Sequence, residues 1–486
     1  LNLDLLRPEI CMALTALAAV GADLLFKRKA IVTAVCLAGI AAATGLTFSI
    51  MGNAPQIIAN RLFSLDDYAI FFKFLFLGLA FIVIVASVDY VNRMKDFHGE
   101  FHALLITATL GAMLTASATD IISILLSVEL TAISFYALVG FLKNGKTAES
   151  SIKYVLLGAI NSAVLLYGFS MLFGFTGSTV LSGMERATAA IPSGGAAGGA
   201  GLLFGLMLVI AGFGFKIAAV PFHMWAPDVY EGAPTPVTLY LSTASKIAGF
   251  AVLTRILVTP FMQPVALARN WGIILAGIAA LTMTTGNLLA IPQVNIKRLL
   301  SYSSIAQSGY MLVAVAALGM SSSNFLQARS SLLYFILAFA FAELAVFTAI
   351  VVMSRNKPAD LISDYAGLAR RSPLLGVAMT LGLLSLMGLP PLAGFMGKFY
   401  VFTQAAQHGL LWLVIIAVVN SVVSAYYYLR IIKTIWTDEP ASEEPVSSSL
   451  GPRFALAFAC LGIAVLGVAP AIITRFSEFG SHMFMP

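Results

Sequence analysis

Apolar runs of about 20 residues, each closed by a short polar connector, recur along the whole chain. A helix of that length matches the hydrocarbon thickness of a bilayer, so each run reads as one crossing. On that rule about fourteen helices are expected, with approximate spans 8–26, 30–50, 69–90, 101–117, 120–142, 151–175, 200–221, 236–258, 270–291, 297–319, 326–354, 373–405, 409–436 and 453–475. The twelfth span is too long for one helix. It contains "LPPLAGFMGKFY", Leu389–Tyr400, where two successive prolines remove backbone donors and should split it. The seventh is expected to break at Pro221 and to resume as a short piece towards "VYEGAPTP". The expected fold class is therefore all-α, a polytopic membrane protein with discontinuous seventh and twelfth helices.

Composition agrees with this reading. Hydrophobic residues make up 59% of the 486 and charged residues 10%, against about 25% charged in soluble domains. So little polar surface cannot coat a water-soluble globule. The formal charge of +6 comes from a few loop clusters, which argues against a nucleic-acid groove. Cys11, Cys36 and Cys460 are scattered without metal spacing, so neither a zinc site nor an iron–sulfur cluster is expected. Asp4 and Glu9 lead into the first apolar run, unlike a cleaved leader.

Basic residues in the connectors set the orientation. Of the 28 lysines and arginines, seventeen fall on one side of the expected bundle, Lys27, Lys146, Lys153, Lys297, Arg298 and Arg355 among them. Seven, including Arg255 and Arg329, fall on the other side with both termini. The first group is expected in the cytoplasm, which places both termini on the non-cytoplasmic side.

The expected helices four to eight and nine to thirteen form two sets of five, so the second set is inverted relative to the first. Each set has its broken helix in fourth place, at Pro221 and at Pro390–Pro391, with a lysine near each break. Inverted repeats with discontinuous helices mark transporters whose ion sites lie near the midplane. The expected organisation is an N-terminal three-helix segment over 1–100, a first five-helix repeat over 101–258, an inverted second repeat over 270–436, and a C-terminal loop and last helix over 437–486. The glycine-rich "PSGGAAGGAG", Pro192–Gly201, lacks the ending of a phosphate loop and is expected as a linker.

Few charges remain at membrane depth. They are Glu129 in the fifth span, Lys216 before the first break, Lys246 in the eighth span, Glu343 in the eleventh and Lys398 after the second break. Lys73 and Asp89 lie near the ends of the third span and are expected to reach the interface along their own stems. Glu129, Lys216 and Lys246 have no such escape and must pair or face internal water. A single pair would be explained as a fold-specifying bridge; Glu129 with Lys216, Lys246 and Lys398, one acid and three lysines over four helices, exceeds that. Ser242, Ser245, Tyr302, Ser303, Ser304, Gln307 and Tyr427 are spread along the same depth and fit a file of water. Moving a proton against about 150 mV requires about 3.5 kcal/mol. Making and breaking a desolvated Glu129–Lys216 pair is in the range to supply it.

At these residues the chain resembles the antiporter-like membrane-arm subunits of bacterial respiratory complex I, NADH:quinone oxidoreductase. The stretches that carry the resemblance are "LLSVELTAISFYALVGF", "SIKYVLLGAINS", "GFGFKIAAVPFHMWAPDVYEGAPTPVT", "STASKIAGF", "NIKRLLSYSSIAQSGY" and "PPLAGFMGKFYVF". They cover about residues 100–430. The resemblance implies that Glu129 pairs with Lys216, that Lys246 is a bridging lysine and that Lys398 communicates with the outer side. A lysine at 398 resembles the N-type more than the M-type, and no long lateral helix of the L-type follows. Glu343 matches no essential acid of the family and is expected as an extra paired group. No glutamate stands at the place of Glu129 in the tenth span, so the two halves are not chemically equal. The resemblance further implies a proton-pumping subunit that binds no cofactor. FMN, iron–sulfur clusters and quinone would belong to partner subunits, and a neighbouring antiporter-like subunit would pack beside it in the bilayer of a bacterial cytoplasmic (inner) membrane.

Three other readings stay open on the residues alone. A subunit of a multisubunit sodium/proton antiporter would share these helices, but sodium needs clustered oxygen ligands. A scaffold would use the charges only to fix helix registry. A small-solute carrier would need a roomy midplane pocket.

Overall fold

The computed structural model describes residues 3–26, 28–59, 61–93, 97–190, 196–321, 325–355, 359–440 and 442–483. Lys27, Lys95 and Lys357 of the orientation tally, and residues 191–195 of the glycine-rich stretch, lie outside them. The rest of that stretch is not linker, because a helix already begins at Ala196 and runs to Lys216.

Among the described residues, thirteen helices are long and apolar enough to cross a membrane. Two shorter helices, Pro373–Met387 and Ala393–Gln407, flank the Pro390–Pro391 step. The chain is thus a multi-pass, all-α membrane protein, with one addition. A small antiparallel hairpin, Gln56–Ile58 with Phe63–Leu65, pairs Ile57 with Ser64 in the connector before the third crossing.

The helices sort by position. Thr235–Val258, Ile296–Met320 and Phe325–Met353 are buried along almost their whole length, while Gly145–Thr176 and Leu411–Trp436 expose one side each. The three buried helices form the core, and any charge on them must be met by protein or by internal water. They carry Lys246, Ser304 and Glu343.

Both breaks are present, and hydrogen bonds meet several of their backbone groups. The first helix half ends at Lys216 and the chain resumes as Trp225–Gly232. The Trp225 indole N–H donates at 2.9 Å to the Phe215 carbonyl, which also accepts the Ala218 amide, and the Val220 amide donates to Thr282 Oγ1 at 3.0 Å. At the second break Gly388 takes φ 91° and its amide turns back to the Leu384 and Ser385 carbonyls. A left-handed residue there closes the helix and favours glycine. The next half approaches so closely that a Cβ on Gly394 would lie 1.8 Å from the Ser385 carbonyl oxygen.

Candidate functional site

The site starts at the exposed rim of the Ile121–Val139 helix. Glu129 Oε1 accepts a hydrogen bond from Ser162 Oγ at 2.5 Å and lies 3.5 Å from Lys216 Nζ. A full charge-assisted bond would be nearer 2.7–2.9 Å, so the pair touches loosely. The Glu129 side chain keeps 27% of its exposure while that of Lys216 keeps 7%. The pair therefore spans the step from the partly exposed surface of the bundle to its buried interior.

Behind Lys216 a cavity of about 20 Å³ is lined by Thr131, Tyr154 and Ser245. That is room for about one water with polar partners on several sides. Ser245 closes a π turn, Leu241–Ser245, that leads directly into Lys246. Wider turns of this kind free a carbonyl and shift the following side chains round the helix. Lys246 emerges from it into the core, where its ammonium donates to Ser304 Oγ at 2.6 Å and sits 5.7 Å from the Tyr230 ring centroid.

Glu343 faces Lys246 from the Phe325–Met353 helix and interacts with it electrostatically, with Ser242 beside it. It is fully buried. A buried carboxylate is costly, and the nearby ammonium and the Ser242 hydroxyl are its compensation. The extra acid is thus an electrostatic partner of the central lysine.

From Ser304 the polar groups continue toward the second break. Ser303 and Tyr428 share a hydroxyl contact at 2.5 Å, and Gln307 Nε2 reaches Tyr428 at 3.3 Å and the Leu386 carbonyl at 2.9 Å. Lys398 Nζ donates to the Leu386 and Met387 carbonyls, each at 3.0 Å, and to Ser421 Oγ at 3.2 Å. These carbonyls are orphans at the end of a half-helix, where partial negative charge collects. A lysine beside the break therefore finds there the acceptors that the break exposes. Tyr427 joins through Asn287 at 2.9 Å, and Asn287 bonds Asn420 and Tyr310 in turn. Lys398 also lines a crevice of about 600 Å³ that opens between its own helix and Leu411–Trp436.

The structure thus groups Glu129 with Lys216, Ser245 with Lys216 at the small cavity, Lys246 with Glu343 and Ser242, and Ser303 with Tyr427 and Tyr428, with Lys398 at the second break. Tyr302 stands apart, half-buried and close to Arg298. Ser162 was missed by sequence reading, because nothing marks one serine of "INS" as the partner of an acid on another helix.

Two expectations fail outside these groups. Lys73 does not reach the interface. It is fully buried and bridges Glu9 at 2.8 Å. An acid one helix away offers a shorter solution than bulk water. Arg255 is not a connector residue either. It is fully buried and holds both oxygens of Asp66, at 2.8 and 2.9 Å. The Asp66 carboxylate also accepts from the Ala69 amide at the start of the Asp67–Val91 helix, so one side chain caps a helix and anchors an arginine. Asp89 lies near its helix end as expected, and there meets Arg355 at 3.2 Å.

On the basic face, Asp360 receives Lys146 at 3.0 Å and Lys297 at 3.1 Å. Burial pushes its carboxyl up, but these two lysines outweigh burial and hold it below the usual carboxylate value. Among the described residues, no group of three or more histidine, cysteine or acidic side chains is placed to hold a metal ion.

Residues 118–424 match the family model described as NADH:quinone oxidoreductase/Mrp antiporter, transmembrane. That range takes in every residue from Glu129 to Lys398. The chain is 44% identical over 485 residues to the NADH-quinone oxidoreductase subunit N of Dehalococcoides mccartyi, covering 99% of this chain and 100% of that one. It is similar to a chain of respiratory complex I from Thermus thermophilus solved with bound aureothin, with TM-score 0.82 and 32% identity, over 96% of this chain and 98% of that one. A chain of the Mrp complex from Dietzia sp. has the same fold, with TM-score 0.85 at 18% identity over 99% and 97% of the two chains.

Proposed function

The chain belongs to the subunit N family of NADH-quinone oxidoreductases, and from that premise we propose that it moves protons across the membrane arm of such an enzyme through the line from Glu129 to Lys398. It is a membrane-arm subunit of a proton-translocating respiratory complex and packs against other membrane-arm subunits in the bilayer. FMN, iron–sulfur clusters and quinone are assigned to partner chains, so electrons pass elsewhere and this chain answers to them.

The observation that carries the proposal is the loose 3.5 Å contact between Glu129 and Lys216 at the head of a polar line. Opening the pair leaves Lys216 without its acid, and its proton then has a route through the small cavity by Ser245 to Lys246. Lys246 is held by Ser304 and opposed by Glu343. A proton leaving it finds Ser303, Tyr428 and Gln307 on the way to Lys398. Lys398, beside the crevice, is the release group. Closing the Glu129–Lys216 pair resets the line.

The helices surrounding this line are read as two inverted five-helix repeats, 101–258 and 270–436, flanked by segments 1–100 and 437–486. The matching breaks after Lys216 and before Lys398 support that reading. The basic face with Lys146, Lys153, Lys297 and Arg298 is assigned to the cytoplasm and the termini to the outside. Sodium exchange is disfavoured because the acids of the line face ammonium groups rather than further oxygen ligands.

The test is Lys216→Met in the membrane complex purified through this chain and sealed in lipid vesicles. Assembly should be intact and NADH-driven proton uptake should fall by about tenfold or more. Uptake at the parent rate overturns the proposal, and uptake that requires sodium would favour the antiporter reading.

A further inference from the structure

Both helix breaks close in the same way. At the first, the Ala219 amide turns back to the Gly214 carbonyl at 2.7 Å and the Ala218 amide to that of Phe215 at 3.0 Å. At the second, the Leu389 amide reaches the Leu384 carbonyl at 3.1 Å and the Gly388 amide that of Ser385 at 3.0 Å. This pair of bonds ends a helix through one left-handed residue. In each break that residue stands three positions before a proline, Pro221 or Pro391. The two residues differ in kind. Ala218 takes φ 56° and Gly388 takes φ 91°. The closure as such therefore accepts alanine in this chain. At the second break φ opens beyond the range alanine prefers, and something lies over the turn.

That something is the Lys398 stem. A β-carbon on Gly388 would lie 3.1 Å from Lys398 Cδ, 3.7 Å from Cε and 3.5 Å from Nζ. Carbon atoms in contact rest about 3.5–4.0 Å apart. The stem thus runs against the bare α-carbon on its way to the Leu386 and Met387 carbonyls. It has little room to give. Those carbonyls and Ser421 hold the ammonium, the Tyr310 ring lies 4.3 Å from it, and the side chain is almost fully buried. At the first break the lysine precedes the turn and reaches Glu129 instead.

We propose that Gly388 is a positioning residue for Lys398, its missing side chain being the seat across which the lysine reaches over its own break to the exposed carbonyls. The inference rests on the proposed role of Lys398 as the release group and names what holds that group in place. A β-carbon at 388 would push the stem away by a few tenths of an ångström and strain all three bonds of the ammonium at once. A misplacement of about 1 Å in a reacting group slows a reaction by about a hundredfold, and a smaller shift slows it less.

The test is a double-substitution cycle in the complex purified through this chain. Gly388→Ala is made in the parent and in Lys398→Ala, which has no stem to displace. Its thermal unfolding midpoint should fall clearly in the parent background and by less in Lys398→Ala, because the backbone contributes equally to both and the stem to one. Gly388→Asn carries the same β-carbon, enters left-handed backbone more readily and should repeat the pattern. In sealed vesicles Gly388→Ala should also slow NADH-driven proton uptake by about threefold to tenfold. Equal falls in midpoint in the two backgrounds, or uptake at the parent rate, overturn the inference. Lys216→Met separates it from the broader reading. If Lys216→Met abolishes uptake while Gly388→Ala leaves it unchanged, the proton-moving role stands and the seat fails. Uptake surviving Lys216→Met shows instead that the broader reading has failed.

Discussion

The Lys398 ammonium donates to the Leu386 carbonyl at 3.0 Å across the break in its own crossing, and so closes the end of the half-helix that precedes it. In the proposed mechanism one side chain is then both a cap and a proton carrier. The two roles separate by substitution. Lys398→Met removes the charge and leaves the Met387 carbonyl without its donor, which destabilises by about 1–3 kcal/mol. Lys398→Gln removes the charge but keeps an amide donor for the same carbonyls. Both variants should lose proton uptake, while only the methionine variant should show a markedly lower unfolding midpoint. A glutamine variant that pumps would show that capping is the whole role of Lys398.

Ser162 is expected to tune the acid at the head of the line. Its hydroxyl holds Glu129 Oε1, the same oxygen that Lys216 approaches. A hydrogen bond to a charged group is worth about 1.5–3 kcal/mol. Ser162→Ala should therefore slow proton uptake by a smaller factor than Glu129→Gln, with assembly retained in both. Equal effects of the two substitutions, or no effect of the serine, would remove Ser162 from the site.

How much of this was readable beforehand follows from the range of each interaction. Pro221, Pro390 and Pro391 act on their own backbone, so the breaks and the lysines beside them stood in plain view. Hydropathy is likewise local, and it located the crossings. Lys73 and Arg255 were misjudged because their partners, Glu9 and Asp66, lie 64 and 189 positions away in the chain. Nothing in the neighbourhood of either residue announces an acid on another helix. Glu343 was noticed as a buried charge, but its role as partner to Lys246 needed the packing of two core helices. Gly388 was invisible for another reason, since a glycine at a helix end already has an ordinary use.

The Asp66–Arg255 pair is expected to serve stability alone. Both side chains keep only 1% of their exposure and the contact is bidentate. Removing one partner of a buried pair costs about 3–5 kcal/mol. Arg255→Met should accordingly reduce the amount of assembled complex. The complex that does assemble should take up protons at the parent rate per molecule. Asp66→Asn retains part of the helix cap and should be the milder change. A pumping defect per assembled molecule would draw this pair into the transport machinery.

The Asp360 cluster gives a pH dependence with a definite sign. Burial raises the Asp360 carboxyl, yet Lys297 and Lys146 together bring it below its ordinary 3.8. A carboxylate held lower in the folded state than in the unfolded chain adds stability that is complete above the unfolded value. That stability is lost as pH falls through the folded value. Lys146 is half exposed, which weakens its share. Asp360→Asn should therefore be less stable than the parent by on the order of 1 kcal/mol at neutral pH. The gap between the two unfolding midpoints should stay level down to about pH 5 and close as the medium is acidified below about pH 4. Acidification protonates the parent's carboxylate and makes it resemble the amide. A gap that widened on acidification would mean that burial, and not the lysines, governs this group, and the Lys297–Asp360 ion pair would then lose its electrostatic basis.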